Sequence, residues 1–262
     1  MAEKTQSTAT ALIIGGGVIG LSAAYHLAQR KLGRIILLEK EAVGDGASSR
    51  AGGIITGLLW TRTGILARQT SLSLFHQLSD ELARFGYRFQ DVGCLNLFDA
   101  SSWSEREPQL ALYDELDAPY EIIDTAEIRY RWPDLTPADH LLGLYDPLGG
   151  YSEPHQYLPA LMQRDRELGV DIREGQPVTG FLTDNGRVRG VTTPDGPVEA
   201  DVVICTVHTW TLRLFELLGW QLPVKAFVHQ RYVTAPLATP VRIPAVNANP
   251  YEGYLMCDLF LK

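Results

Sequence analysis

The first forty residues alternate between apolar and amphipathic segments, and this pattern predicts a strand–helix–strand unit. Residues 11–14 form an apolar run, a helical periodicity continues to about Lys31, and a second apolar run covers 35–38. The apolar positions between the two runs recur at the three- and four-residue spacing of one helix face. Two strands joined by a crossover helix are typical of an α/β fold with a parallel sheet.

Further elements are predicted along the rest of the chain. They are a helix over 66–85, a strand over 93–98, a short helix begun by a capping box at 124–127 and ended by Pro133, and a helix ending at Gly169. From Ala226 onward, short β-prone segments alternate with prolines. This spacing predicts a second, antiparallel sheet.

Three β-prone runs between 178 and 200 are separated by the dipeptides Asn185-Gly186 and Asp195-Gly196. Both dipeptides favour the tight turns of β-hairpins, so the segment predicts a three-stranded antiparallel meander. The meander leads into the continuous apolar run 201–207, which is typical of a buried parallel strand. A meander as the crossover between parallel strands differs from the helical crossovers of a plain nicotinamide-binding domain.

Three glycines separate the first strand from the first helix, and an acid ends the second strand. Gly15, Gly17 and Gly20 have the spacing of a dinucleotide-binding fingerprint, and Glu39 stands where a carboxylate can accept hydrogen bonds from ribose hydroxyls. Gly15 allows a tight turn, Gly17 lets the backbone approach a pyrophosphate, and Gly20 lets the helix pack close to the sheet. The phosphates are then expected on the free amides of the helix N-terminus.

Composition narrows the possible partners. The chain has 262 residues, 45% of them hydrophobic, and a formal net charge of −8 without a run of more than two basic residues. These values argue against nucleic acid and anionic membrane surfaces as binding partners.

Because the sequence has neither a membrane-spanning apolar segment nor a signal-peptide core, we expect a cytoplasmic protein. The three cysteines are far apart and the histidines are scattered, which predicts neither a disulfide framework nor a metal site.

A loop of small and polar residues follows Glu39 and contains the segment Ser48-Ser49-Arg50-Ala51-Gly52-Gly53. Its hydroxyls and arginine suit a pyrophosphate, and its glycines let the backbone pass close to a flat ring. Together with the glycine turn, the meander and the strand ending near Trp210, this loop resembles the D-amino-acid oxidase superfamily. That superfamily includes glycine oxidase, sarcosine oxidase and dimethylglycine dehydrogenase-like flavoenzymes. The four features occur in the family's order and cover nearly all of the chain.

The resemblance implies FAD as the cofactor. It places Glu39 and Lys40 beside the adenosine ribose and the backbone of Val178 against the adenine. The implied FAD-binding residues are Gly15, Gly17, Val18, Ile19, Gly20, Glu39, Lys40, Ser48, Ser49, Arg50, Gly52, Gly53 and Val178. The implied fold is an α/β, Rossmann-type parallel sheet with a β-meander crossover, plus an antiparallel-sheet substrate domain. The FAD-binding domain would be discontinuous, over 1–85 and 141–225, and the incomplete substrate domain would comprise 86–140 and 226–262.

The implied function is oxidation of an amine or N-methyl amino acid by hydride transfer to the flavin. Substrate contacts are expected from the second sheet, where Arg231, Tyr251 and Tyr254 lie, and Tyr254 is the catalytic candidate. Core packing is the competing role for a tyrosine on a sheet. A small-molecule amine is the expected partner, and a homo- or hetero-oligomer is possible for a chain of this kind.

Two departures from the family pattern keep alternatives open. Val207-His208-Thr209-Trp210 stands where the family has a small-Gly-small-Trp turn, so His208 either modifies the flavin environment or displaces the loop. The chain also ends at 258–262, before the glycine-rich loop that family members place under the flavin pyrimidine. The alternative function is therefore a truncated member with weak or no FAD binding and no turnover, acting in an assembly. A nicotinamide dehydrogenase is disfavoured by the meander and the 48–53 loop.

Overall fold

A computed structural model describes residues 8–226, 233, 235, 237–248 and 260–261. Its helices are α1 Val18–Gln29, α2 Arg62–Glu81, α3 Ala100–Arg106, α4 Leu110–Glu115, α5 Thr125–Arg131, α6 Pro154–Glu167 and α7 Thr211–Glu216. Short 3-10 turns occur at Ala83–Phe85, Glu107–Gln109 and His208–Trp210. Its strands are β1 Ala9–Ile14, β2 Ile35–Leu38, β3 Ile54–Ile55, β4 Cys94–Phe98, β5 Glu121–Ile123, β6 Leu135–Thr136, β7 Leu142–Asp146, β8 Gly150–Tyr151, β9 Asp171–Arg173, β10 Gly180–Asp184, β11 Arg187–Thr193, β12 Gly196–Cys205, β13 Ala245–Ala248 and β14 Phe260–Leu261.

The chain divides into two compact units. The first is drawn from Met1–Ala51, Arg84–Tyr87 and Pro154–Arg231, and the second from Gly52–Ala83, Arg88–Glu153 and Tyr232–Lys262. These limits differ from the predicted domains, because α2, β7 and β8 fall in the second unit. β7 lies between β4 and β5 in one sheet and therefore packs with them. The functional division into an FAD-binding and a substrate domain stays a prediction.

A six-stranded sheet forms the first unit, in the order β10-β11-β12-β1-β2-β9. β12, β1, β2 and β9 are parallel, and β10 and β11 pair antiparallel with their neighbours. The predicted meander and parallel sheet are therefore confirmed. The third meander strand and the following parallel strand are one element, because β12 pairs with β11 over 196–199 and with β1 over 200–205. The meander thus extends the sheet.

The predicted burial of the β12 run is wrong for one of its faces. Val203 packs against a core cluster that includes Leu12, Ile36 and Val191, whereas the side chain of Val202 is 54% exposed. Successive residues of a strand point to opposite faces of the sheet, so an unbroken apolar sequence does not require burial on both. The core cluster that contains Leu12 and Ile36 accordingly lies on the Val203 side of β12.

Helix α1 lies between β1 and β2 in sequence and packs against α6. Its buried residues are Gly20, Leu21, Ala24 and Tyr25, which confirms the predicted apolar face. On α6, Asp165 has no solvent exposure, and neither carboxylate oxygen has a hydrogen-bond partner within the described residues. Burial raises the pKa of Asp165 to about 8, and Arg164 opposes that shift. The carboxyl group is therefore protonated at neutral pH.

A four-stranded sheet, β13-β4-β7-β5, forms the centre of the second unit. β4 and β5 pair antiparallel with β7, but β13 pairs parallel with β4. The predicted antiparallel second sheet is therefore confirmed for β4, β7 and β5, whereas β13 differs because it joins the sheet in parallel. Leu95, Leu97 and Ile123 of this sheet pack with Ile128 in one buried cluster.

Two helix starts in the second unit show how local polar groups set the boundaries. Thr61 caps α2 by accepting a hydrogen bond from the Gly64 amide, so the helix begins before the predicted residue 66. Asp124 caps α5 by accepting from the Glu127 amide at 2.8 Å, as predicted. The reciprocal half of that capping box is replaced, because the Glu127 carboxylate accepts from Arg131 at 2.6 Å.

Candidate dinucleotide-binding site

The glycine turn connects β1 to α1 at the carboxyl end of the parallel strands. Gly15 has φ +107°, a conformation that favours glycine, and a side chain there would also meet Val207 and Thr206. A Cβ on Gly20 would lie well under 3.0 Å from the Gly15 carbonyl oxygen. The helix therefore approaches the strand so closely that only glycine fits, which is the packing role predicted for Gly20.

Free backbone amides collect at the start of α1. The Val18 amide donates to Ser48 Oγ at 3.0 Å, whereas the amides of Gly17, Ile19 and Gly20 make no hydrogen bond to any described residue. The first turn of α1 contains no acidic side chain, and Ile19 is 63% exposed. Exposed amides and the positive end of the helix dipole favour an anion at this place.

Glu39 lies directly beside the glycine turn. One of its carboxylate oxygens accepts from the Gly16 amide at 2.7 Å, and the other accepts from the Glu41 amide at 3.0 Å. A carboxylate can accept about four hydrogen bonds, so both oxygens keep capacity for hydroxyl donors. The backbone of Glu39 is also held, because its carbonyl accepts from the Gln176 amide at 2.8 Å.

The loop that carries Ser48, Ser49 and Arg50 folds back on itself. Ser49 Oγ donates to the Gly46 carbonyl at 3.2 Å. The Arg50 guanidinium donates to the carbonyls of Asp45 and Gly46, the latter at 2.7 Å, and it remains exposed. Of the three side chains, Ser48 lies closest to the turn, since a Cβ on Gly17 would stand 3.0 Å from its hydroxyl. Arg50 contacts its own turn.

Lys40 and His208 belong to the same unit. The Lys40 ammonium lies 4.5 Å from the centre of the Trp210 ring and 3.1 Å from a Glu41 carboxylate oxygen. His208 is exposed and has φ +50°, the left-handed region that glycine adopts without cost. The position at which the resemblance places a glycine is thus occupied by a histidine in a glycine-like backbone conformation.

The remaining predicted residues occupy different places. Val178 packs at the edge of the core before β10, and its amide and carbonyl form no hydrogen bond with the described part of the chain. Gly52 and Gly53 fall in the second unit, where the Gly53 carbonyl accepts from the Ser152 amide. The catalytic candidate Tyr254 lies outside the described residues, as do Arg231 and Tyr251.

Thr206 is a residue of this site that the sequence reasoning missed. Its hydroxyl donates to the Ile14 carbonyl at 2.8 Å and lies 3.1 Å from the Gly15 carbonyl, so it fixes the end of β12 against the glycine turn. A hydroxyl directly after an apolar strand is the only signal that could have indicated it.

In the described residues, no group of three His, Cys, Asp or Glu side chains could hold a metal ion. No helix in the described segments is long and apolar enough to span a bilayer.

Comparison with known proteins decides the family. A profile of the FAD dependent oxidoreductase (DAO) family matches residues 10–258. The chain belongs to this family. It is 28% identical over 255 residues to the mitochondrial dimethylglycine dehydrogenase of Rattus norvegicus, which covers 96% of this chain and 29% of that protein. It is 29% identical over 254 residues to sarcosine oxidase subunit beta of Arthrobacter sp, covering 93% of this chain and 62% of that protein.

The fold agrees with this family. The crystal structure of glycine oxidase from Bacillus cereus has a TM-score of 0.67 and 26% identity, over 80% of this chain and 58% of that chain. The family is FAD dependent, so the cofactor is FAD. The chain spans less than two thirds of the length of these relatives.

The residues at the turn suit such a cofactor. The unbonded amides at the start of α1 match a pyrophosphate, and the Glu39 carboxylate retains acceptor capacity for ribose hydroxyls. Gly17 leaves room for phosphate oxygens, because Ser48 Oγ is the only atom of the described residues, chain neighbours aside, within 4 Å of the place a side chain would take. The chemistry of this donor set therefore fits an adenine dinucleotide.

Proposed function

We propose that this chain binds FAD through the glycine turn of its first unit and serves in the oxidation of an amine or N-methyl amino acid. The observation that carries the proposal is the cluster of unbonded amides at the start of α1, beside the Glu39 carboxylate. When bound, FAD would supply the acceptor for the hydride that leaves the carbon attached to the substrate nitrogen, so that the C–N bond becomes an imine. The residues of this unit hold and orient the cofactor.

Each proposed contact has a separate task. The amides of Gly17, Ile19 and Gly20 would bind phosphate oxygens, helped by the α1 dipole. Glu39 would accept from the ribose hydroxyls while its bonds to Gly16 and Glu41 keep the carboxylate in place. The Val178 backbone would pair with the adenine, since its amide and carbonyl make no bond to the described residues.

Arg50 requires a rearrangement for the role assigned to it. Its guanidinium bonds carbonyls of its own turn, so contact with a pyrophosphate needs those bonds to be exchanged. A phosphate oxyanion carries a full negative charge and can bind a guanidinium through two parallel bonds, whereas a carbonyl oxygen is neutral, and this difference favours the exchange. Lys40 would lie beside the ribose while its ammonium stays over the Trp210 ring.

The names of the related proteins support the proposed substrate class of this chain. Two of them act on dimethylglycine and sarcosine, which are N-methyl amino acids, and a third structure is a glycine oxidase. An N-methyl amino acid therefore ranks above other amines as the substrate of this chain. The name sarcosine oxidase subunit beta describes one subunit of an assembly, so a partner subunit is part of the proposal.

Anaerobic reduction of the bound flavin tests the substrate class. FAD-loaded protein is mixed with N,N-dimethylglycine, sarcosine or glycine, and the loss of flavin absorbance is followed. Propionate, which has a carboxylate but no amine, is the matched control. Bleaching by the N-methyl amino acids alone is expected. Stable FAD binding without bleaching by any of the three amines would contradict the proposed substrate class.

A further inference from the structure

Arg106 is the last residue of α3 and lies inside the second unit. Its exposure is 4%, which is unusual for an arginine. Its guanidinium lies beside a buried hydrophobic cluster that includes Leu58, Phe98 and Tyr113. A full positive charge is therefore held in an apolar part of the fold.

Only part of the guanidinium has hydrogen-bond partners. Nη2 donates to the Leu58 carbonyl at 3.2 Å, whereas Nε and Nη1 are buried without an acceptor in the described chain. The described residues also provide no ion pair to this guanidinium. Burial lowers the pKa of Arg106, but a guanidinium keeps its proton at physiological pH. The Tyr113 hydroxyl lies close enough to the guanidinium to oppose this shift of the pKa. The group is thus a buried cation with two N–H donors that have no acceptor in hydrogen-bond geometry among the described residues.

Aromatic rings stabilise the charge of Arg106 but do not satisfy its two unbonded N–H donors. The centre of the Trp60 ring lies 4.0 Å from the guanidinium carbon, and the rings of Phe98 and Tyr113 lie at 5.5 and 5.9 Å. The π faces stabilise the charge. They do not accept the N–H bonds of Nε and Nη1, and unsatisfied buried donors are rare enough to require an explanation.

The Trp60 side chain covers the Arg106 guanidinium. It is 42% exposed, lies outside the helices and strands, and immediately precedes Thr61, the residue that caps α2. The segment before it is anchored, since Asp146 accepts bonds from Thr56 and Gly57. Because the partly exposed indole stacks on the guanidinium between these two anchored segments, rotation of the Trp60 side chain would uncover Arg106 without a change of backbone.

We propose that Arg106 and Trp60 form a binding site for a small carboxylate. One cation matches one negative charge, and the free N–H groups supply donors for its oxygens. A phosphate dianion fits less well, because one guanidinium balances only one of its negative charges and the Asp146 carboxylate, which raises the pKa of the neighbouring Tyr113, adds negative potential. Assigning the ligand to the carboxylate of an amino-acid substrate rests on the proposed function; the site itself does not.

Fluorescence titration of the whole chain tests the site. Sodium acetate, N,N-dimethylglycine, sodium chloride and inorganic phosphate are added at constant ionic strength, and tryptophan emission is recorded together with thermal stability. We expect acetate and dimethylglycine to change the emission and raise the melting temperature, with chloride and phosphate much weaker. Trp60→Phe should remove the emission change but keep the thermal shift.

Two arginine variants locate the response. Arg106→Met should weaken carboxylate binding at least tenfold. Arg62→Met should leave it unchanged, because Arg62 is exposed and already paired with Glu115. If Arg106→Met fails to fold, the arginine Nε–H resonance of Arg106 in ¹⁵N-labelled wild-type protein, assigned with Arg106→Lys, must shift on addition of acetate.

The outcomes separate this site from the proposed function. An absent response to carboxylates, a response equal in Arg106→Met, or tighter binding of phosphate would overturn the site. FAD binding, measured in the same samples, reports on the proposed function alone. Acetate binding without dimethylglycine binding would support the site and overturn its assignment to the substrate.

Discussion

Replacing Gly20 with alanine is expected to destabilise the chain, although alanine is the better helix former. Intrinsic propensity favours alanine in a helix by about 1 kcal/mol. At this position, however, the Cβ would stand well under 3.0 Å from the Gly15 carbonyl oxygen and 2.9 Å from Thr206 Oγ1. Because one of these neighbours is backbone, α1 must move away from β1.

The size of the effect follows from opposing contributions. Overpacking typically costs 1–3 kcal/mol, and displacing the Thr206 hydroxyl from its carbonyl partners costs about 1 kcal/mol more. After subtracting the propensity gain, the free energy of unfolding should fall by about 1–3 kcal/mol. Without the close helix–strand contact, FAD affinity should fall as well.

Urea unfolding followed by far-ultraviolet circular dichroism measures this difference. Gly46→Ala is the matched control, because a Cβ there meets nothing within 4 Å and the residue lies in the same unit. The control should stay within about 0.5 kcal/mol of wild type. A Gly20→Ala protein as stable as wild type, or more stable, would refute the close docking of α1.

Three further predictions test other parts of the structure. Gly17→Val should lower FAD affinity at least about tenfold while Gly46→Ala leaves it unchanged, because the branched side chain fills the phosphate space; equal flavin content would contradict the site. His208→Gly should stabilise the chain by about 0.5–1 kcal/mol in thermal unfolding, since φ +50° is strained for a side chain; a loss of stability would contradict this. Asp165 has a folded pKa of about 8, above its ordinary 3.8, so its contribution to stability is complete below about pH 4 and is lost as the pH rises through about 8. Stability curves of wild type and Asp165→Asn should therefore differ in slope by about 1.4 kcal/mol per pH unit in this window, and parallel curves would contradict the buried neutral carboxyl.

Much of the first unit was predictable because its local signals agree with its packing. The glycine spacing, the apolar face of α1 and the two hairpin turns all act over a few residues, and each element formed as expected. The exposure of Val202 was not predictable, because an apolar run does not reveal whether one or both faces of a strand are covered. Nor could the sequence indicate that one strand, β12, serves both the meander and the parallel sheet.

Only part of the candidate site could be predicted from the sequence. Gly15 and Gly20 have conformational and packing roles fixed by nearby backbone, so their spacing was sufficient, whereas the ribose contact of Glu39 stays a prediction. Contacts across long sequence separations, such as Thr206 with Ile14, carry no local signal. The unusual burial of Arg106 was likewise hidden, because its aromatic neighbours come from separate segments of the second unit.

Equilibrium binding of FAD and of NAD to the wild-type chain tests the central claim most directly. Purified protein is stripped of bound nucleotide, and each dinucleotide is titrated under the same conditions, with flavin absorbance and calorimetry as readouts. We expect one FAD per chain, displaced by ADP because both occupy the amides at the start of α1 and the Glu39 carboxylate. Tight binding of NAD with no binding of FAD would contradict the account.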